Sequence, residues 1–279
     1  MLVTSTELLK TAKEKHFAFP HFNFWSRASI KAYLEVAQNL NLPVILACAE
    51  SHRSYMTTEE AAEFGKYYAN KVDIPVVLHL DHGMTPSIIK YAVDNGFTSV
   101  MIDASQETFA ENVRRTREIV DYAHSRGVVV EAEIGHVGTG SKYQAGDSDT
   151  RYTQVDAAVD FVNQTAVDSL AVSIGTAHGT YKGVPHINFD RLKELSANVP
   201  VPLVLHGGSS TGDENLSRVT ENGICKINIF TDITIAALKK VRENNPGTYL
   251  ELEEHAYEGM KEMAAHYYHV FHTERYKSK

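Results

Sequence analysis

Residues 76–83 read VVLHLDHG, an apolar strand that ends in two histidines around an aspartate. Val76, Val77, Leu78 and Leu80 suit burial, but a polar group buried without a partner costs roughly 2–7 kcal/mol. His82 stands beside a glycine, as do His178 and His206, and glycine lets backbone and ligand approach closely. Three imidazoles with an open fourth position suit a catalytic zinc ion. Any one of them alone would pass for a hydrogen-bonded histidine of a strand. Their recurrence at three strand ends favours the metal. Asp81, next to His82, is placed to move a proton; its plainer role is to orient a histidine. His79 shares the face of Asp81 by strand alternation and reads as an interior, hydrogen-bonded support.

Other polar residues gather at strand ends. Asn23 closes the first apolar run and Asp103 the fourth, and Glu131 and Glu133 share one face of the fifth. Two inward carboxylates repel unless a cation or a proton separates them. A metal position using Asp103 and Glu133 answers this, and so does a lysine or arginine inside the core; spacing does not choose between them. HGGSS (206–210) offers the backbone of Gly207 and Gly208 and the hydroxyl of Ser209. NIFTD (228–232) places Asn228 and Thr231 near the start of the next helix, whose dipole attracts anions. Together they form a phosphate signal. SHRSY (51–55) brings Ser51, His52 and Arg53 to the second strand end, where they would meet an anionic terminus or form a basic surface loop. His266, His269 and His272, three apart, drift around a helix and do not make a metal site.

The elements that must hold these residues repeat eight times. The apolar, β-branched runs are 17–24, 43–50, 75–83, 99–105, 128–135, 169–175, 202–208 and 224–230. Helix-period segments separate them, with Gly96 and Gly127 at helix exits. Continuous apolar strands alternating with helices indicate a parallel sheet covered on both faces, and eight such units predict a (β/α)8 barrel. Active sites of that architecture lie at the C-terminal strand ends, where the polar residues fall. The 279 residues read as a single domain, with the barrel over about 17–245 and a helical extension over 246–279. That extension carries Tyr249, Tyr257, Tyr267, Tyr268 and Phe271 and is expected to pack on a neighbouring subunit. Residues 136–154 form a long polar loop of the kind that covers active sites.

A net charge of −8 without a basic stripe argues against nucleic acid as a partner. No apolar run approaches a membrane span. Cys48 and Cys225 sit in apolar strands and read as reduced core residues. Charged residues interrupt the N-terminal segment where a signal peptide needs an apolar run, and Thr4 and Glu7 have capping-box spacing for a first helix. A soluble, cytoplasmic protein is expected.

The motifs LDHG (80–83), EAEIG (131–135), DSLAVSIGTAHGTYKG (168–183), PLVLHGGSS (202–210) and KINIFTD (226–232) resemble the class II, zinc-dependent ketose-bisphosphate aldolases. The similarity runs in order from about Phe19 to Asp232. The resemblance implies that His82, His178 and His206 bind zinc and that Asp81 is the acid/base serving the aldehyde oxygen. It further implies an alternative metal position at Asp103 and Glu133. Asn23, Gly179, Lys182, Gly207, Gly208, Ser209, Asn228 and Thr231 would hold the dihydroxyacetone phosphate half, with a monovalent cation nearby. The implied reaction is reversible cleavage of a ketose 1-phosphate or 1,6-bisphosphate through a metal-stabilised ene-diolate, without a Schiff base, so Lys226 is structural. A homodimer or homotetramer is implied. Two departures stand out. Many members carry GGxED after the fifth strand, where GTGSKY (138–143) has no carboxylate, leaving Tyr143, Asp147, Asp149 and Tyr152 as candidate substitutes. The C-terminal tail also lacks the family's Gly-Ser-x-Gly-Lys-like ending, which leaves open a substrate whose far end is not phosphate, and the missing loop carboxylate leaves open a sugar-phosphate-binding protein that has lost catalysis.

Overall fold

A computed structural model describes residues 1–135, 152–181 and 185–277. Eight parallel strands close into a barrel in chain order: β1 (Phe19–Asn23), β2 (Val44–Ala49), β3 (Val76–Gly83), β4 (Ser99–Ile102), β5 (Val129–Ile134), β6 (Ser169–Val172), β7 (Leu203–Leu205) and β8 (Ile224–Ile229), with β8 pairing back to β1. Each falls inside one of the eight apolar runs. Alternation divides every strand between two environments. Leu46, Leu78, Leu80, Val100, Val130 and Ile227 face outward into the main core beneath the helices. The other face holds the polar interior: His21, Asn23, His79, Asp81, Ser99, Glu131, Glu133, Lys226 and Asn228 are all buried.

Helices α2 (Arg27–Leu40), α3 (Thr58–Ala69), α4 (Pro86–Asp94), α5 (Phe109–His124), α6 (Val155–Thr165), α7 (Phe189–Asn198), α8 (Asp213–Glu221) and α9 (Thr231–Asn244) follow the strands in turn. Local chemistry starts them where the strands need cover: Ser26 and Thr57 form capping boxes, and Pro86 opens α4. Gly96 and Gly127 follow α4 and α5 at positive φ, as expected of helix exits.

An added helix α1 (Thr6–Lys15) closes the N-terminal mouth, where Leu8, Leu9 and Ala12 pack with Phe19, Ile45 and Val77. The capping box expected from Thr4 and Glu7 does not form. Ser5 is the cap residue instead, and its backbone is already helical (φ −78°, ψ −10°), so no side chain turns back to bond the first N–H groups. The C-terminal extension is one long helix, α10 (Tyr249–Val270), followed by a 3-10 turn at Thr273–Lys277. Three of the aromatics expected to pack on a neighbouring subunit are instead used within the chain, while Tyr249 stays 69% exposed. Tyr267, Tyr268 and Phe271 are buried, and the Tyr268 hydroxyl donates to the Pro43 carbonyl at 2.9 Å. The shared spacing of these residues puts them on the α10 face turned toward the barrel.

Candidate active site

The C-terminal mouth of the barrel opens into a cleft of about 410 Å³. Its floor is Asp81, whose neighbours leave it little freedom. Oδ2 accepts from Asn23 Nδ2 at 2.9 Å and Oδ1 from Asn228 Nδ2 at 3.1 Å. Burial favours the neutral acid, but the imidazoles of His82, His21 and His206 and the Lys226 charge hold this carboxyl well below the usual carboxylate range. The floor is therefore a fixed, ionised carboxylate.

One residue on, the chain kinks. The β3–β4 register shifts between Leu80 and Gly83, and His82 takes φ +46°. That bulge re-aims the His82 ring into the cleft, and Gly83 permits it, since a Cβ there would lie 2.5 Å from the Met101 carbonyl oxygen. His82 Nδ1 meets Asp103 Oδ2 at 2.8 Å, and Asp103 is steadied by the Ser105 N–H and hydroxyl. His82 Nε2 is thereby left for a ligand. His206 follows β7 and contacts Glu131 Oε1 through Nε2 at 2.9 Å, while its Nδ1 faces Glu133 Oε2 at 3.3 Å. His178 arrives from the loop after β6. Its Nε2 is buried with no hydrogen-bond partner.

The ring centroids of His82, His178 and His206 lie 4.5 to 5.9 Å apart. One nitrogen from each falls within 4.8 Å of the others, as do donor atoms of His82, Asp103 and Glu133. An orphaned imidazole nitrogen, two histidines oriented by carboxylates and a carboxylate beside them fit a metal ion. Burial and the neighbouring His82 and His206 push His178 down to about 4, so it stays the neutral base a metal requires. Burial disfavours charge on His206 as well, but the adjacent Glu131 and Glu133 carboxylates push it up to about 10.

Below this layer, Lys226 answers the question posed by the two glutamates. Its ammonium lies 3.0 Å from Glu131 Oε2 and donates to Asn228 Oδ1 at 2.8 Å. Glu131 is thus the carboxylate satisfied by an interior lysine, and Glu133 is the one that reaches the cleft. His79 bonds Ser99 Oγ at 2.8 Å, as its interior support role anticipates.

On the opposite wall the loops after β7 and β8 interlock. Ser209 Oγ accepts from the N–H groups of Phe230 and Asp232 at 3.2 and 3.3 Å, which leaves its own proton for an anion. Thr231 begins α9 and lines the cleft beside Gly207, Ser209 and Gly179. Asn228 lies on β8 itself, and its amide is committed to Asp81. Gly208 does not line the cleft; its backbone packs against Ile227 and Asn228. Ser51 and His52 line the far wall, and the His52 ring lies 4.3 Å from that of Phe230. Arg53 instead turns to Glu59 at 3.5 Å. Lys182, Tyr143, Asp147 and Asp149 lie outside the described residues, and Tyr152 is not among the cleft-lining ones. The tail histidines do not converge: His266 bonds Asp213 and His272 bonds Ser217.

Several contributors were not anticipated. Gln106, Met84 and Phe230 line the cleft, and His21 lies buried beneath it, 3.7 Å from Asp81. Alternation with Asn23 was available as a signal for His21. Gln106, three residues past Asp103, belongs to a strand-end loop, and its place at the C-terminal rim was the available signal.

The family model for class II fructose-bisphosphate aldolase matches residues 3–275. The chain belongs to that family. It is 40% identical over 246 residues to the fructose-bisphosphate aldolase of Staphylococcus epidermidis, covering 87% of this chain and 85% of the relative. It is also similar to the crystal structure of the YdjI aldolase from Escherichia coli K12, with a TM-score of 0.88 at 36% identity over 97% of both chains. A second crystal structure, of a protein from Coccidioides immitis, superposes with a TM-score of 0.85 at 27% identity, over 96% of this chain and 95% of that one. The chain is therefore an aldolase, a carbon–carbon lyase of a family that is typically metal-dependent. Among the described residues, no helix is long and apolar enough to cross a membrane.

Proposed function

We propose that this aldolase binds zinc through His82, His178 and His206 and reversibly cleaves a ketose 1-phosphate or 1,6-bisphosphate to dihydroxyacetone phosphate and an aldehyde. The observation that carries the reading is the placement of Asp81: an ionised carboxylate held by two amides on the floor of a cleft, with three imidazoles on one side and an anion-binding turn on the other. Zinc bound there supplies a Lewis acid that draws electron density from the ketose carbonyl. Asp81 takes the proton from the hydroxyl whose carbon becomes the aldehyde, and returns it in the synthetic direction. The carbon–carbon bond breaks as that oxygen becomes a carbonyl, and the electron pair stays with the phosphorylated half. Asn23 and Asn228 keep the carboxylate aimed. Ser209, Thr231 and the α9 N-terminus hold the phosphate, which fixes which carbons face Asp81. Asp103 and Glu133, with His82, form the alternative metal position.

A second reading of the substrate has its own support. The far wall is built from Ser51, His52, Met84 and Gln106, and among the described cleft-lining residues there is no lysine or arginine. Burial also pushes His52 down, toward the neutral form. That wall suits an aldehyde half bearing hydroxyls better than one bearing a second phosphate. A cytoplasmic assembly of two or four copies belongs to the same proposal, supported by exposed apolar side chains such as Ile235, Leu238 and Leu250 on α9 and α10.

The test is dihydroxyacetone phosphate release from a panel of ketose 1-phosphates and 1,6-bisphosphates, with and without a chelator. Chelator-sensitive release restored by zinc supports the proposal, and a preference for 1-phosphates supports the hydroxyl-lined far end. No release from any member by the zinc-loaded protein overturns the substrate assignment.

A further inference from the structure

The anion-binding turn is not self-supporting. Ser210 sits at φ +61°, a left-handed conformation that costs a non-glycine residue about 1 kcal/mol or more. What holds it there is Asp232. The Ser210 N–H donates to Asp232 Oδ2 at 2.7 Å, and its hydroxyl donates to Oδ1 at 3.0 Å. Both carboxylate oxygens are thus spent on one residue of the turn, next to Ser209, which faces the cleft. Asp232 does not line the cleft. Its backbone N–H donates to Ser209 Oγ, so the same residue grips the turn twice.

A carboxylate behind a phosphate site is a liability unless it is firmly directed away from the anion. The direction comes from outside the barrel. The hydroxyl of Tyr267, on α10, donates to Asp232 Oδ2. Tyr267 is only 3% exposed and packs against Phe271, with ring centroids 5.2 Å apart, which holds its hydroxyl against Asp232. The chain of bonds runs Tyr267, Asp232, Ser210, Ser209: from the C-terminal helix to the group that would meet the phosphate.

We propose that Tyr267 is a positioning residue for substrate phosphate, acting through Asp232 to set the conformation of the turn 207–210. The inference rests on the reading of that turn as the phosphate holder. It gives α10 a part in substrate binding, although the helix contributes no residue to the cleft wall.

The test uses zinc-loaded full-length protein and three variants: Y267F, Y268F and S210A. Tyr268 is the internal control. It is equally buried on the same helix, but its hydroxyl donates to the Pro43 carbonyl, away from the turn. Inorganic phosphate is titrated into each protein by 31P NMR, and steady-state cleavage of the best panel substrate is measured beside it. Loss of a hydrogen bond to a charged group predicts that Y267F weakens phosphate binding and raises KM by about tenfold, with kcat within about twofold of wild type. Y268F should shift unfolding by as much as Y267F while leaving phosphate affinity and KM unchanged. S210A, at the other end of the carboxylate, should reproduce the KM effect even if Y267F fails to fold. Equal phosphate affinity in wild type, Y267F and S210A overturns the positioning role but leaves the turn as phosphate holder. Equal losses in Y267F and Y268F make both effects merely structural and overturn it as well. If wild type binds no phosphate, the reading of the turn falls, and this inference with it.

Discussion

His82, His178 and His206 are near neighbours in space but differ in how each would meet the metal proposed for them. Asp103 orients the first and Glu131 the third, while His178 presents a buried nitrogen with no partner. His178→Ala should therefore lose bound metal and cleavage together, read by metal analysis alongside the assay. Asp81→Ala should keep stoichiometric metal and lose about 10²–10⁴-fold in kcat, the usual worth of a positioned acid/base. Turnover near wild type in that variant would remove Asp81 from the mechanism. His206 also gives a pH prediction. In the metal-free protein its pKa is pushed up to about 10, so it carries a proton at neutral pH that a metal must displace. Metal binding then releases at least one proton, and affinity should strengthen by at least about tenfold per pH unit between pH 6 and pH 8. A competition titration with a chromophoric chelator reads this, and a flat profile would mean that His206 is not displaced.

The strand-end loops turn these side chains into a site, and their backbone carries as much of the chemistry as their side chains. The turn after β7 shows this best. Gly207 has φ +68°, and a Cβ on it would lie 2.4 Å from the Ala177 carbonyl oxygen in the loop that delivers His178. The two loops are also tied by the Tyr181 hydroxyl, which donates to Gly207 O at 3.2 Å and accepts from Ala177 N–H at 2.6 Å. Gly207→Ala should consequently injure metal binding and phosphate binding at once, lowering kcat/KM by about 10²-fold, in line with what a misplacement of about 1 Å does to catalysis. Circular dichroism should show a folded barrel. A variant with unchanged kinetics would show that the loops can separate without loss.

At the scale of the whole molecule, helices at both ends of the chain complete the barrel. α1 plugs the N-terminal mouth, and α10 lays Tyr267, Tyr268 and Phe271 against the outside. The backbone is stitched in as well: Ala18 N–H donates to Phe271 O at 3.0 Å, and the Thr273 hydroxyl donates to Ala18 O at 2.7 Å, next to the start of β1. Phe271→Ala removes a fully buried aromatic ring from this seam and should cost about 3–5 kcal/mol of stability. The urea midpoint should fall accordingly. A shift under about 1 kcal/mol would mean that the seam contributes little to holding the barrel.

What the sequence determined by itself was whatever depends on local order. Strand and helix periodicity, glycines at helix exits and polar residues at strand ends are properties of short segments, and they sufficed for an eight-unit barrel and for the side chains of its rim. His82, His178 and His206 were legible because each stands beside a glycine where an apolar run ends. Pairings across the barrel were not legible, because they join residues far apart in the chain. That Glu131 belongs to Lys226 and Glu133 to the cleft was open from spacing, since two carboxylates on one strand face look alike until the opposite wall is in place. Arg53 was open between an anion ligand and a basic surface loop until the fold offered it Glu59. Tyr267 looked like a residue for a partner subunit until closure of α10 brought it to Asp232. In each case the deciding term was the satisfaction of a charge or a buried polar group by a distant residue, and only the tertiary structure sets those distances.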